Sequence, residues 1–69
     1  MSAREVDVLR LVAAGRSDGE IAQTLFISKK TASVHVANIK GKLGAQSRVE
    51  IVTTALALGL VETPQSPRP

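Results

Sequence analysis

The sequence predicts an all-α, four-helix (tetrahelical) domain built around a helix-turn-helix, and three observations carry that expectation. Serine followed three residues later by glutamate recurs at Ser2/Glu5, Ser17/Glu20 and Ser47/Glu50, each time beside apolar residues at helical spacing. Gly15, Gly44 and Gly59 fall where the first, third and fourth periodic runs stop. No stretch alternates apolar and polar residues as a half-buried strand would.

The first segment is expected from about Ala3 to Ala14. Ser2 and Glu5 form its capping box, with Met1 and Val6 spaced as the accompanying hydrophobic staple. Glu5, Val8, Leu9, Val12 and Ala13 line one face at i, i+3, i+4, i+7 and i+8. The second segment opens at Ser17 and ends near Leu25 or Phe26, with Ile21, Ala22 and Leu25 as its apolar face.

The third segment follows Ser28, a favourable N-cap, and runs over about 29–43 to Gly44. Only Phe26 to Ser28 separate it from the second, and so short a corner in a small basic domain suggests a helix-turn-helix. The fourth opens on the Ser47/Glu50 box and runs from Arg48 to about Leu58. Beyond Val61 the composition turns to TPQSPRP, which cannot extend a helix. The expected organisation is a helical domain over 1–61 and a disordered Pro-rich tail over 62–69.

At 69 residues the chain can hold one small core and little else. With no cysteine and one histidine, neither a disulfide framework nor a metal site is expected. No apolar run approaches the roughly 20 residues of a membrane span, and no signal-peptide pattern opens the chain. A soluble, cytoplasmic (nucleoid-associated) protein is expected. No nucleophile–base pair, carboxylate pair or phosphate loop supports an enzyme, and neither a cofactor nor a small-molecule ligand is expected on this domain.

The net charge of +3 is modest, but its placement is not. Between Glu20 and Glu50 there is no acidic residue, while Lys29, Lys30, Lys40, Lys42 and Arg48 lie in that interval. A basic middle of this kind suits a surface facing phosphates, although a merely solvated face would look the same.

The third segment gives the sharper signal. At about 100° per residue, Ala32, Val36, Ile39 and Leu43 share one stripe, the expected core face. Opposite them lie Lys30, Val34, Ala37 and Gly41, with Ser33 at the edge. This outward face is slim and, Lys30 apart, uncharged, so it can approach the floor of a groove closely. Lys29 and Lys40 flank one side; Thr31, His35, Asn38 and Lys42 flank the other. A slim centre between polar and basic rims matches a helix lying between two phosphate backbones. A groove on a partner protein would also suit small residues.

Lys29 and Lys30 oppose the dipole at the start of their own helix, which phosphate contact would explain. Lys42 and Arg48 have an alternative role, in pairing with the helix dipole or with Glu5. His35 has two readings, core packing or a phosphate hydrogen bond. The fourth segment is apolar over more than half its circumference, which leaves Val52, Thr53 and Leu56 free to meet a second copy.

The run SDGEIAQTLFISKKTASVHVANIKGKLGAQSRVEIV resembles the LuxR-type helix-turn-helix, or GerE domain. The likeness extends upstream through REVDVLRLVAAG and downstream through LALGLV, covering residues 1 to about 61. It implies the output domain of a bacterial transcription regulator that binds inverted-repeat DNA as a dimer. By this resemblance Ser33, Val34 and Ala37 are base-reading positions, and phosphates are held around Lys30, Thr31 and Lys42. On the helical wheel and this resemblance together, Lys30, Ser33, Val34 and Ala37 are expected to face bases, and Ser28, Lys29, Thr31, His35, Asn38, Lys40 and Lys42 to meet phosphates. RNA polymerase is a further candidate partner, and a protein-interaction module docking on transcription machinery is the alternative function.

The sequence departs from the family pattern at Ala32, where valine is more usual, and at Gly41 inside the third helix. Ser33 and Ala37 are also short, so bidentate base recognition is scarce. Modest specificity is expected, from thymine-methyl contact by Val34 and Ala37 and from DNA shape.

Overall fold

The computed structural model describes residues 1–61. They form α1 (Ala3–Ala13), α2 (Asp18–Leu25), α3 (Lys29–Leu43) and α4 (Arg48–Ala57), with no strand among the described residues. The tail expected over 62–69 lies outside them. Helices α1 and α4 each stop one residue before their expected end, with Ala14 and Leu58 as caps.

Side chains supplied by the sequence fix the helix starts. Ser2 Oγ accepts from the Glu5 N–H at 3.2 Å, and Glu5 Oε1 accepts from the Ser2 N–H at 3.1 Å. Ser17 and Glu20 repeat the exchange at 3.2 and 2.9 Å. The third expected box is only half formed, and this corrects the sequence reading. Ser47 Oγ accepts from the Glu50 N–H at 3.2 Å, but the Glu50 carboxylate takes the Gln46 N–H instead, at 2.7 Å. Ser47 is more extended than the other caps (φ −150° against −75° and −79°), which swings its own N–H away from Glu50.

One core holds the four helices together. Val8, Leu9, Ile21, Ile39 and Ile51 are fully buried in it, with Ala32 and Ala55 where backbones come close. Burying a side chain of the larger kind contributes about 1.5–3 kcal/mol. Helix α1 packs on all three others, and α2 packs most extensively on α3. Helix α4 rests on α1 and α3, and reaches α2 only through a side chain.

The α2–α3 corner turns on Phe26, whose backbone is left-handed (φ +58°). The N–H groups of Phe26 and Ile27 both donate to the carbonyl of Ala22, closing the end of α2. Ile27 turns back toward the core, while the Phe26 ring is 94% exposed. Elsewhere the chain uses Gly15 and Gly44 for this conformation. No described helix is long and apolar enough to cross a membrane.

Candidate nucleic-acid interface

Helix α3 divides as its wheel requires. Ala32, Val36 and Ile39 are buried, with Leu43 half-buried at the end of the same stripe. Lys30, Ser33, Val34, Ala37 and Gly41 are all exposed. Val34 is half exposed, at 50%, an aliphatic side chain open to solvent on the centre line of that face.

The first turn of α3 differs from those of the other helices. Each of α1, α2 and α4 carries at least one carboxylate there, whereas α3 carries Lys29 and Lys30 and no acid. The positive end of the helix dipole and two exposed ammonium groups therefore add, with no compensating charge on that turn. Ser28 Oγ accepts from the Thr31 N–H at 3.0 Å and donates to Thr31 Oγ1 at 2.8 Å. That second bond leaves the threonine's own hydroxyl proton available to an outside acceptor.

The remaining flank residues separate into free and engaged groups. Asn38 is exposed and Lys40 half-buried. His35 is half-buried, with Nδ1 sealed from the surface and without a hydrogen-bond partner among the described residues. Its placement favours the packing role over phosphate contact through that nitrogen. The Lys42 ammonium lies 2.6 Å from Glu5 Oε1, so the Glu5 alternative is the one realised. Its side chain remains about half exposed, but the charge already has a partner.

Arg48 does not meet Glu5, and that pairing is corrected. Its guanidinium bonds Asp18 Oδ1 at 2.7 Å and the Arg16 carbonyl at 2.6 Å. Arg48 opens α4, and the carboxylate within its reach is the one that opens α2.

On α4, Ile51 and Ala55 face the core. Thr53 and Leu56 are exposed as expected, but Val52 is half-buried against the core. The most exposed aliphatic of the helix is Val49, which the sequence reading did not single out. Val49, Val52, Thr53 and Leu56 are spaced i, i+3, i+4 and i+7, so the signal was in the sequence. It was hidden because a short helix apolar over more than half its circumference does not reveal which stripe is buried.

Both the sequence and the fold are similar to those of known bacterial regulators. Residues 1–55 match the family model of bacterial regulatory proteins of the luxR family. The quorum sensing-dependent transcriptional regulator VjbR of Brucella abortus is 43% identical over 65 residues, covering 94% of this chain and 25% of that protein. The Fimbriae Z protein of Escherichia coli K12 is 46% identical over 61 residues, 88% of this chain and 29% of its own length. The chain thus spans less than a third of these curated relatives. Among solved structures, the transcription factor GerE superposes with a TM-score of 0.84 at 30% identity, covering 91% of this chain and 94% of that one. A chain of the Vibrio cholerae VqmA dimer, solved in the absence of target DNA, gives a TM-score of 0.85 at 33% identity, over 93% of this chain and 30% of that one.

Proposed function

The chain belongs to the luxR family of bacterial regulatory proteins, and from that premise we propose that it binds duplex DNA sequence-specifically, as the output domain of a transcription regulator. Helix α3 is the recognition helix, lying in the major groove. The observation that carries this reading is the outer face of α3. It is slim at Ser33, Val34, Ala37 and Gly41 and bounded at its start by two lysines with no acid on their turn. An ordinary solvated helix face has long charged side chains along its centre line; beyond Lys30 in its first turn, this one carries only Val34, Ala37 and Gly41 there.

In this arrangement Lys29, Lys30 and Thr31 hold phosphates at the N-terminal end of α3, and Val34 and Ala37 lie against thymine methyl groups. Asn38 and Lys40 meet the backbone further along. With no arginine or asparagine on the groove face, DNA shape supplies the remaining discrimination.

Two copies would join through Val49, Val52, Thr53 and Leu56 of α4 and read an inverted repeat. The exposed stripe supports this, as does a hollow of about 260 Å³ beside it, lined in part by Val12, Ala13, Val49 and Val52. The VqmA neighbour is itself a dimer. Cytoplasmic placement follows from the same reading.

The test is selection of random duplex DNA by the purified chain at moderate salt, with the bound pool sequenced. Enrichment of an inverted repeat is the expected result. Absence of retention even at low salt would overturn the DNA reading in favour of a protein-docking module.

A further inference from the structure

Helix α4 has ten residues, so it is roughly 15 Å long. Within it only Ile51 and Ala55 are fully buried, and its backbone does not pack on α2. Two anchors on one stripe, with Val52 the only half-buried apolar side chain beside them, resist translation of the helix better than rotation about them. A polar tie lies off that stripe, at the N-terminal end. Arg48 reaches across to α2, where it bonds the first-turn carboxylate of Asp18 at 2.7 Å, and to the Arg16 carbonyl just before it at 2.6 Å. Both partners belong to the segment that opens the helix-turn-helix. A guanidinium held by two acceptors in different directions fixes an orientation, which a single point charge does not.

We propose that Arg48, through Asp18 and the Arg16 carbonyl, is a positioning residue that sets the separation at which two copies of this chain read DNA. The inference rests on the dimeric reading given above, in which α4 carries the interface and α3 the reading face. If α4 is fixed to its counterpart, any rotation of the helix against its own domain swings α3. With helix axes roughly 8–10 Å apart, a rotation of about 15° moves α3 by roughly 2–3 Å. A two-fold axis applies that shift to both copies, and the total exceeds the roughly 3.4 Å rise of one base pair. The tie is therefore in a place to decide half-site spacing without touching DNA.

Arg48→Lys keeps the charge and the stem but loses the two-pronged geometry; Asp18→Asn removes the acceptor charge from the other side. Random duplex DNA is selected in parallel by the wild-type chain, by each variant and by the double variant, with folding checked by helical circular dichroism and melting. The expected result is the same half-site sequence in every pool. The wild type enriches one spacing, whereas both single variants spread over neighbouring spacings, with at least a roughly threefold smaller ratio of best to next-best. The double variant spreads no further than the singles, because the same tie is broken in each case. Folded variants that retain the sharp wild-type spacing would overturn the proposal while leaving the dimeric reading intact. A wild-type pool with half-sites but no preferred spacing would overturn both.

Discussion

The Nζ of Lys42, in the last turn of α3, lies 2.6 Å from Oε1 of Glu5, in the first turn of α1. The same carboxylate oxygen accepts the Ser2 N–H at 3.1 Å. One buried acid therefore both caps the first helix and pins the end of the third, which explains why Glu5 tolerates being 6% exposed.

That arrangement makes stability depend on acid. The Lys42 hydrogen bond, and after it the Ser2 N–H, hold the Glu5 carboxyl below its usual 4.5. The unfolded chain then takes up a proton more readily than the folded one, so the contribution is complete above pH 4.5 and is lost as pH falls through the depressed folded value. Lys42→Met removes the larger cause. The variant should melt lower at neutral pH, yet lose less of its remaining stability on acidification. Melting curves between neutral pH and the acid side of the Glu5 titration check this, and parallel acid profiles for the two proteins would refute it.

Phe26 holds a left-handed backbone that costs a non-glycine residue roughly 1–2 kcal/mol. Its ring is too exposed to recover that by burial. Phe26→Gly should stabilise the fold by about 0.5–1 kcal/mol once the added freedom of the unfolded chain is subtracted. Phe26→Ala should bring no such gain, because its Cβ keeps the strain. Urea titration of the three proteins decides the matter.

Gly41 lies within α3, and a Cβ added there would meet nothing within 4 Å. Gly41→Ala should therefore stabilise the helix by about 1 kcal/mol. The residue is on the outer face, so the same methyl group would hold α3 away from a groove floor. A more stable protein with weaker duplex binding is the expected pair of results. Unchanged binding would show that the far end of α3 stays clear of the bases.

Lys29 and Lys30 oppose their own helix dipole and have no acid beside them in that turn. Replacing either with alanine should reduce the slope of log affinity against log salt by about 0.9 for each phosphate no longer neutralised. The fold itself should be unharmed, or stabilised by a few tenths of a kcal/mol. Fluorescence anisotropy on a labelled duplex across a salt series measures the slope.

The four helices, their N-cap serines and the two faces of α3 were legible from residue order alone. Those are local matters: a serine oxygen reaches an N–H three residues on, and a turn of 3.6 residues fixes which side chains share a side. The buried set of α1, from Glu5 to Ala13, was readable for the same reason. Residue order offered Glu5 to both Lys42 and Arg48, and only packing divided them, giving Glu5 to Lys42 and Asp18 to Arg48. These partners are 37 and 30 residues apart, so no local spacing could decide between them. Packing also selected the buried stripe of α4, placing Val52 partly inward and Val49 outward. An apolar helix offers several equivalent faces, and only the shape of the surface it packs on selects one.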